Sequence, residues 1–301
     1  MNKKGLQNFG NTCYINSSLQ CLMNSIHFNV FLDTTKTTLN LKTVFNGDLK
    51  KLLKQLSKRL PSYFKVNQQN DVHEFLMYLI DIMYEEQKKS FQINGLTGTV
   101  SAYKKMQHKC NKEWFKAYSP IMDTLYYQIV RQTECSLCDN TNLNIENNFI
   151  LEVDIEKDND SLVNSIDRYF AKHYVTDWTC DKCHKNSNKN EIIQKLWMMP
   201  KLLIVCVKRF KYMNGEMSKL KYSMDIPERL NMEHHCLQKD ISYEYTLSGV
   251  INHLGDTYYG HYNADLMVNG DIIKIDDDSI IKYKSLNDQN CYILFYEYSP
   301  R

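Results

Sequence analysis

Little in this chain breaks it up. Five prolines and ten glycines are scattered singly through 301 residues, so no Pro/Gly/Ser-rich linker divides it, and no fixed-period repeat or long low-complexity tract stands out. Long hydrophobic runs are missing too. The longest purely apolar run, Leu202–Val207, has six residues, far short of the roughly 20 that span a bilayer. Residues 1–8 carry charge but no apolar stretch, which excludes a secretory signal peptide. An excess of one charge is also absent: 37 basic against 35 acidic residues leave a net charge of +2. Phosphate binding needs a marked basic excess, so neither nucleic acid nor membrane is an expected partner. The length allows one or two domains on a prior of about 150 residues each.

Cysteine is not scarce. Ten cysteines without a secretory signal argue against a disulfide framework. They point to metal ligands, a nucleophile or buried thiols in a reducing, intracellular compartment, cytoplasmic or nuclear.

Hydrophobic periodicity places helices first and strands later. Leu49, Leu52, Leu53, Leu56 and Leu60 predict a helix over 49–60, stopped by Pro61. Val72, Phe75, Leu76, Leu79, Ile80 and Met83 predict an amphipathic helix over 71–84, and Ile15, Leu19, Leu22 and Ile26 a shorter one after Thr12. Strands are expected at Leu202–Val207, Thr246–Asn252, His261–Val268, Asp271–Ile275 and Cys291–Tyr298. This order suggests an α+β fold rather than a doubly wound sheet.

Cys135-Ser-Leu-Cys138 and Cys180-Asp-Lys-Cys183 are two Cys-x-x-Cys hooks with 41 residues between them. Each hook lets two thiolates converge on one ion, and two hooks complete a tetrahedral Zn²⁺ shell. Four thiolates leave no open coordination position, so one structural zinc is expected, with no organic cofactor. His184, beside the second hook, reads as a surface neighbour rather than a ligand.

Gly10-Asn11-Thr12-Cys13-Tyr14 precedes the first helix. A thiol at a helix N-terminus meets the positive end of the dipole and free backbone N–H groups, which favour a thiolate and can hold an oxyanion. Burial of a small residue at a helix start would explain the same pattern. A cysteine nucleophile needs a distant histidine and an orienting acid. Gly260-His261-Tyr262 opens an extended segment after the turn-like stretch 255–259, and Ile275-Asp276-Asp277-Asp278 follows fourteen residues on. A strand, a turn and a returning strand would set an Asp beside His261 and fix its tautomer. The acidic run could instead be a solvated turn. His253 is the rival base, read by itself as a core histidine.

The segment Gly5-Leu-Gln-Asn-Phe-Gly-Asn-Thr-Cys-Tyr-Ile-Asn-Ser-Ser-Leu-Gln-Cys21 resembles the cysteine box of the ubiquitin-specific proteases, a deubiquitinase family with a papain-like core. Tyr245–His253, Gly260-His-Tyr262 and Cys291–Tyr296 resemble its histidine box, Gln69–Phe75 its glutamine box, and Lys208-Arg209-Phe210 its Leu-Lys-Arg-Phe strand. These motifs run in the family's order over nearly the whole chain. The resemblance implies that Cys13 is the nucleophile, His261 the general base and Asp276 its orienting acid. It implies that Asn8 donates an amide N–H to the oxyanion and that Asp277 is an accessory acid. Asp71 and Glu74 match acids that face the basic tail of ubiquitin, yet Asp-x-x-Glu opening a helix is also a capping box. Capping is expected of Asp71 and the tail contact of Glu74. Tyr262 is expected to line the channel for the Gly-Gly end. Ile272 and Ile275 stand where the family commonly has Trp and Phe before its Asp pair, and Asn70, Val72 and Cys291 also depart from common residues, reading as packing changes.

The implied protein is a single catalytic domain over 1–301. A helical part over about 1–120 packs on a β-rich part over 201–301, and zinc-stapled β fingers over about 121–200 lie between them. The implied reaction is thiol-dependent hydrolysis after the terminal glycine of ubiquitin by a monomer acting on ubiquitinated proteins. A protease for another ubiquitin-like modifier and a silent ubiquitin-binding scaffold are the alternatives.

Overall fold

The computed structural model describes residues 4–299 except 188, 214, 240, 258, 284 and 287. Its first helix, α1 (Cys13–Asn24), has every side chain from Cys13 to Leu22 buried. Such burial on all sides makes it a central helix rather than an amphipathic surface one. The buried hydroxyls of Ser17 and Ser18 are satisfied by the Tyr14 carbonyl, at 3.2 and 2.7 Å. Ile26 does not join the inner face, as its spacing suggested. The helix ends at Asn24, Ser25 caps a new helix α2 (Ile26–Thr34) by accepting the Phe28 N–H, and Ile26 is left 71% exposed.

Helix α3 (Leu49–Leu56) buries its four leucines but stops short of Pro61, because the chain tightens into turns after Ser57; Leu60 is buried from that turn. Helix α4 (Val72–Gln87) buries the whole predicted stripe and outruns it by three residues. Helix α5 (Ala102–Lys116) left no clear period in the sequence, since it buries only Cys110 and Trp114. A single turn, α6 (Met122–Leu125), leads into the sheets.

Strands β1 (Tyr127–Glu134) and β2 (Thr141–Asn148) form a hairpin. The chain then returns to the body through β3 (Ile150–Asp154), the short β4 (Asp160–Ser161) and α7 (Leu162–Phe170). It goes out again as β5 (His173–Val175), the small hairpin β6 (Trp178–Thr179) and β7 (Asn186–Ser187), and β8 (Asn190–Met198). The finger sheet has the order β2-β1-β8-β5. Residues 121–200 therefore divide between two places: β3 pairs with the large sheet and β4 stays with the body, while the other strands form the finger sheet and its small hairpin.

The large sheet comprises β9 (Leu202–Lys208), β13 (Arg229–Asn231), β14 (Glu244–Gly255), β15 (Gly260–Val268), β16 (Asp271–Asp276), β17 (Ser279–Tyr283) and β18 (Cys291–Tyr298), with β3 at one edge. Its order is β17-β16-β15-β14-β18-β9-β3, with β13 beside the start of β14. Before β13, the hairpin β10 (Phe210–Met213) and β11 (Glu216–Lys219) projects from the sheet, and β12 (Met224–Asp225) pairs with β4. The turn expected over 255–259 joins β14 to β15; residue 258 lies outside the described residues. The six-residue apolar run is now explained. Leu202, Ile204 and Cys206 face the helices α1–α4, while Leu203, Val205 and Val207 face the core beneath α7. A strand covered on both faces reads as a continuous hydrophobic run, and each such side chain contributes about 1.5–3 kcal/mol by its burial. Helix α1 packs on β14, β15 and β16, which brings the first helix of the chain against its last strands. Among the described residues, no helix is long and apolar enough to cross a membrane.

Candidate active site

Cys13 is the first residue of α1, and the loop before it is built around one side chain. The Asn8 Oδ1 accepts from the Gly10 N–H (2.9 Å), the Thr12 N–H (3.1 Å) and the Thr12 hydroxyl (3.2 Å). Gly10 and Asn11 take positive φ values of 92° and 54°, conformations that glycine and asparagine tolerate best. The loop thus turns tightly enough to aim the start of the helix at a cleft of about 460 Å³ that Cys13 lines.

The far end of the chain meets it there. His261 is the second residue of β15, and Asp276 the last of β16. The His261 Nε2 lies 2.5 Å from the Asp276 Oδ1. This leaves Nδ1 as the ring nitrogen available to Cys13, the group with the largest influence on the imidazole. Cys13 holds the histidine in its charged form most strongly and Asp276 assists, outweighing burial, so His261 is raised to about 9.

Adjacent acids diverge because the turn after β16 is tight. Asp277 has φ 51°, a left-handed conformation, and pairs of Asp276 with Ser279 close the turn around it. Its carboxylate stays within 4.8 Å of the His261 ring nitrogen and the Asp276 carboxylate, but its hydrogen bonds go elsewhere. It accepts from the Asn8 Nδ2 (2.9 Å) and the Asn16 Nδ2 (2.7 Å), and its carbonyl accepts from the Leu6 N–H (2.8 Å). Gly5 seats this N-terminal segment, since a Cβ there would lie 2.4 Å from the Asp278 Cα. Asn16 was not singled out in the sequence. Its position three residues after Cys13, on the same helical face, was the available signal.

The remaining predicted residues separate by environment. Asp71 caps α4 through Oδ1, accepting from the His73 and Glu74 N–H groups at 2.8 and 3.1 Å, while Oδ2 accepts from the hydroxyls of Tyr292 (3.0 Å) and Tyr262 (3.4 Å). Both oxygens are engaged. Glu74 accepts from the Tyr78 hydroxyl at 3.2 Å and is half-buried beside the helix start. Tyr262 lines the cleft, and so do Gln69, Phe210, Met217 and Tyr292. Of these, Gln69 also donates to the Gly260 carbonyl at 3.0 Å. His253 is buried among the rings of Phe210, Tyr262 and Tyr292, and burial followed by the charge of Lys219 lowers it to about 4. It packs so close to Gly260 that a Cβ there would fall 1.9 Å from its Nε2. His253 is a neutral wedge under the strand end, not a group poised near neutrality.

A pH profile tests the His261 environment. A group raised above its ordinary 6.5 stays protonated until pH passes its folded value, so activity that needs the imidazolium should fall in an alkaline limb near pH 9. Asp276→Asn removes one of the two groups that raise it, and the limb should move toward lower pH. A limb unmoved by that substitution would show that Asp276 does not act on His261.

Cys135, Cys138, Cys180 and Cys183 converge at the fingertips, with their sulfur atoms all within 4.8 Å of one another. Both hooks fold alike. The Cys135 carbonyl accepts from the Asp139 N–H and the Cys180 carbonyl from the His184 N–H, with Asp139 and His184 in the left-handed region at φ 54° and 55°. His184 therefore shapes the turn and is exposed. Sulfur pairs stand at 3.8 Å (Cys135–Cys183) and 3.7 Å (Cys138–Cys180). The edge of a tetrahedron with Zn–S near 2.3 Å is about 3.8 Å. The four thiols fit a tetrahedral metal ion, and as free cysteines they form no disulfide.

Comparison with known proteins places this arrangement. Residues 4–296 match the family model described as ubiquitin carboxyl-terminal hydrolase. The chain is 26% identical to ubiquitin carboxyl-terminal hydrolase Usp2 of Drosophila melanogaster, with 97% of this chain and 34% of that protein covered. It is also 26% identical to ubiquitin carboxyl-terminal hydrolase 4 of Arabidopsis thaliana, with 92% and 84% covered. The chain thus spans about a third of the length of the first relative and most of the second. Among solved structures, a chain of the SAGA DUB module Ubp8/Sgf11/Sus1/Sgf73 bound to monoubiquitin is similar, with a TM-score of 0.76 and 21% identity over 99% of this chain and 69% of that one. At that identity the likeness establishes the fold. The family model covers nearly the entire length, and the chain belongs to the ubiquitin carboxyl-terminal hydrolase family.

Proposed function

We propose that this protein is a thiol-dependent deubiquitinase that hydrolyses the isopeptide or peptide bond after the C-terminal glycine of ubiquitin. The observation that carries the reading is the meeting of the two ends of the chain beside a cleft that Cys13 lines: Asp276 bonds His261, on which Cys13 is the largest influence, and Asn8 bonds the adjacent Asp277.

The Cys13 thiolate attacks the scissile carbonyl, forming the C–S bond. The developing oxyanion is held by backbone N–H groups at the start of α1 and by the Asn8 amide. Asp277 takes one of that amide's two N–H groups and leaves the other for the substrate. His261, charged and oriented by Asp276, gives its proton to the leaving lysine amine as the C–N bond breaks. The neutral imidazole then takes a proton from water, hydroxide attacks the thioester, and the Cys13 thiolate departs beside a restored imidazolium. Tyr262 and Asp71 shape the channel wall for the Gly-Gly end, and Glu74 is the acid nearer the basic residues of the tail. Cys135, Cys138, Cys180 and Cys183 would hold one structural zinc ion, which would keep the fingers in shape to receive the folded body of ubiquitin. The protein acts as an intracellular monomer, cytoplasmic or nuclear, on ubiquitinated proteins.

A panel of fluorogenic C-terminal conjugates of ubiquitin and of ubiquitin-like modifiers tests the reading, with ubiquitin expected to turn over fastest. Faster release from another modifier would reassign the substrate. Failure of Cys13 to react with a ubiquitin-linked vinyl electrophile would leave only a binding scaffold.

A further inference from the structure

One cation near the cleft takes no part in the chemistry above, yet it is bonded three times. Lys219 ends β11, and its Nζ donates to the His253 carbonyl (2.5 Å), the Gly255 carbonyl (3.2 Å) and the Asn290 Oδ1 (3.3 Å). The sheet explains why these acceptors need a donor. Strand β14 pairs with β18 only as far as Asn252 opposite Cys291, and one further bond runs from the His253 N–H to the Asn290 carbonyl (2.9 Å). Beyond that point β14 continues to pair on its other side, Leu254 opposite His261 and Gly255 opposite Gly260. Backbone groups alternate between neighbours along an antiparallel strand. The carbonyls of His253 and Gly255 therefore face the side where the ladder has ended, and unpaired acceptors there would be costly.

We propose that Lys219 is a positioning residue for the catalytic base: its ammonium replaces the missing strand beside β14, holding the residues opposite His261 in register and tying them to the β10–β11 hairpin. That hairpin is the other wall of the cleft. Lys219 pairs with Phe210 in it, and Phe210 packs on His253 and Tyr292 while Met217 lines the opening. One side chain thus couples the width of the cleft to the placement of His261. A flexible lysine suits three acceptors on one side of a compact charge, which a planar guanidinium meets less well.

The proposal rests on the reading of Cys13 and His261 as nucleophile and base, so its test includes a measurement that needs no ubiquitin. In the 301-residue chain, Lys219→Met is expected to lower kcat on a fluorogenic ubiquitin amide at least about tenfold, since an error near 1 Å in a catalytic group can cost about a hundredfold. Alkylation of Cys13 by iodoacetamide should slow by a similar factor at pH 6.5, where His261 is protonated, and stay unchanged at pH 10, where the imidazole has lost its proton. Lys219→Arg should recover part of both losses. If Lys219→Met only lowers the amount of titratable Cys13, leaving kcat per active site and the ratio of the two alkylation rates as in the wild type, the proposal is overturned. Should that variant fail to fold, Asn290→Ala decides. Losing one acceptor is expected to lower kcat about threefold, and a wild-type kcat there also overturns the proposal. A wild type that does not turn over ubiquitin, with alkylation still slowed in Lys219→Met, would sink the substrate reading and support the latch.

Discussion

Cys13→Ser should reduce ubiquitin-conjugate hydrolysis by at least about 10⁴-fold, the scale on which loss of a nucleophile acts in hydrolases of this type. Affinity for ubiquitin should remain, because the change is one atom in a residue only 5% exposed. The size of the effect follows from what the thiol does to its partner. Cys13 is the largest of the influences that raise His261 to about 9. Serine removes the sulfur from beside the ring, so the imidazolium loses the largest of its supports. His261 would then have to deprotonate a far weaker acid in the transition state. By contrast, removing one oxyanion donor such as the Asn8 amide typically costs about 3 kcal/mol, roughly a hundredfold. Two measurements separate the effects: kcat/KM on a fluorogenic ubiquitin amide, and the titration of His261 followed by NMR, which should move down in Cys13→Ser. Cleavage within tenfold of the wild type would assign the chemistry to another residue. Four of the buried thiols are poor substitutes, since burial pushes Cys110 and Cys236 up to about 12 and raises Cys206 and Cys291 as well.

Much of this was legible in the sequence because the decisive groups sit where local rules are strong. Asp71 was read as a helix cap from Asp-x-x-Glu before an apolar stripe, and it accepts the two expected N–H groups. The alternation of β15 and β16 around a short turn put an acid on the face of His261: the register brings Asp276 level with Asn263, two residues from His261, and its carboxylate reaches the imidazole diagonally. The wall that faces them was not legible. Phe210 and Met217 come from one hairpin and Tyr292 from a strand some eighty residues later, and nothing in their local pattern says that they share a cleft. Lys219 was invisible for the same reason: its partners are main-chain carbonyls, which leave no mark on residue type. Ile26 failed for a different reason. Its helical spacing from Leu22 was right, but Ser25 is a good N-cap and it started a new helix. The tertiary fate of residues 150–170, which return to the large sheet in the middle of the fingers, depends on pairing with β9 some fifty residues later.

Withdrawal of zinc should melt the fingers before the rest of the protein. Their outer parts bury little: no residue of β2 is fully buried, β6 and β7 are two residues each, and burial is concentrated at the base, where Cys110, Val130 and Trp197 form a small cluster and Tyr127, Ile129 and Leu196 join the core beneath α7. Burial of that size is worth a few kcal/mol at about 25 cal/mol per Å² and does not offset the entropy of ordering some sixty residues. A metal ion does. Apparent binding energies of about 10–16 kcal/mol in structural Cys-rich sites match or exceed the whole stability of an ordinary domain, about 5–15 kcal/mol. The body has no such dependence, because α1 to α4 and one face of the large sheet share one extensive core that includes Cys13. A strong chelator, or Cys135→Ser, is therefore expected to split one cooperative melting transition into two and to lower the first by well over 10 °C. Cys13 alkylation by a small reagent should persist under the same conditions, since β15, β16 and α1 are untouched. Hydrolysis of ubiquitin conjugates is expected to be lost with the outer sheet, the brace proposed for the substrate. A single transition unchanged by complete removal of the metal would refute the structural role of the four cysteines. It would also require some other source of order for a sheet whose own side chains do not supply it.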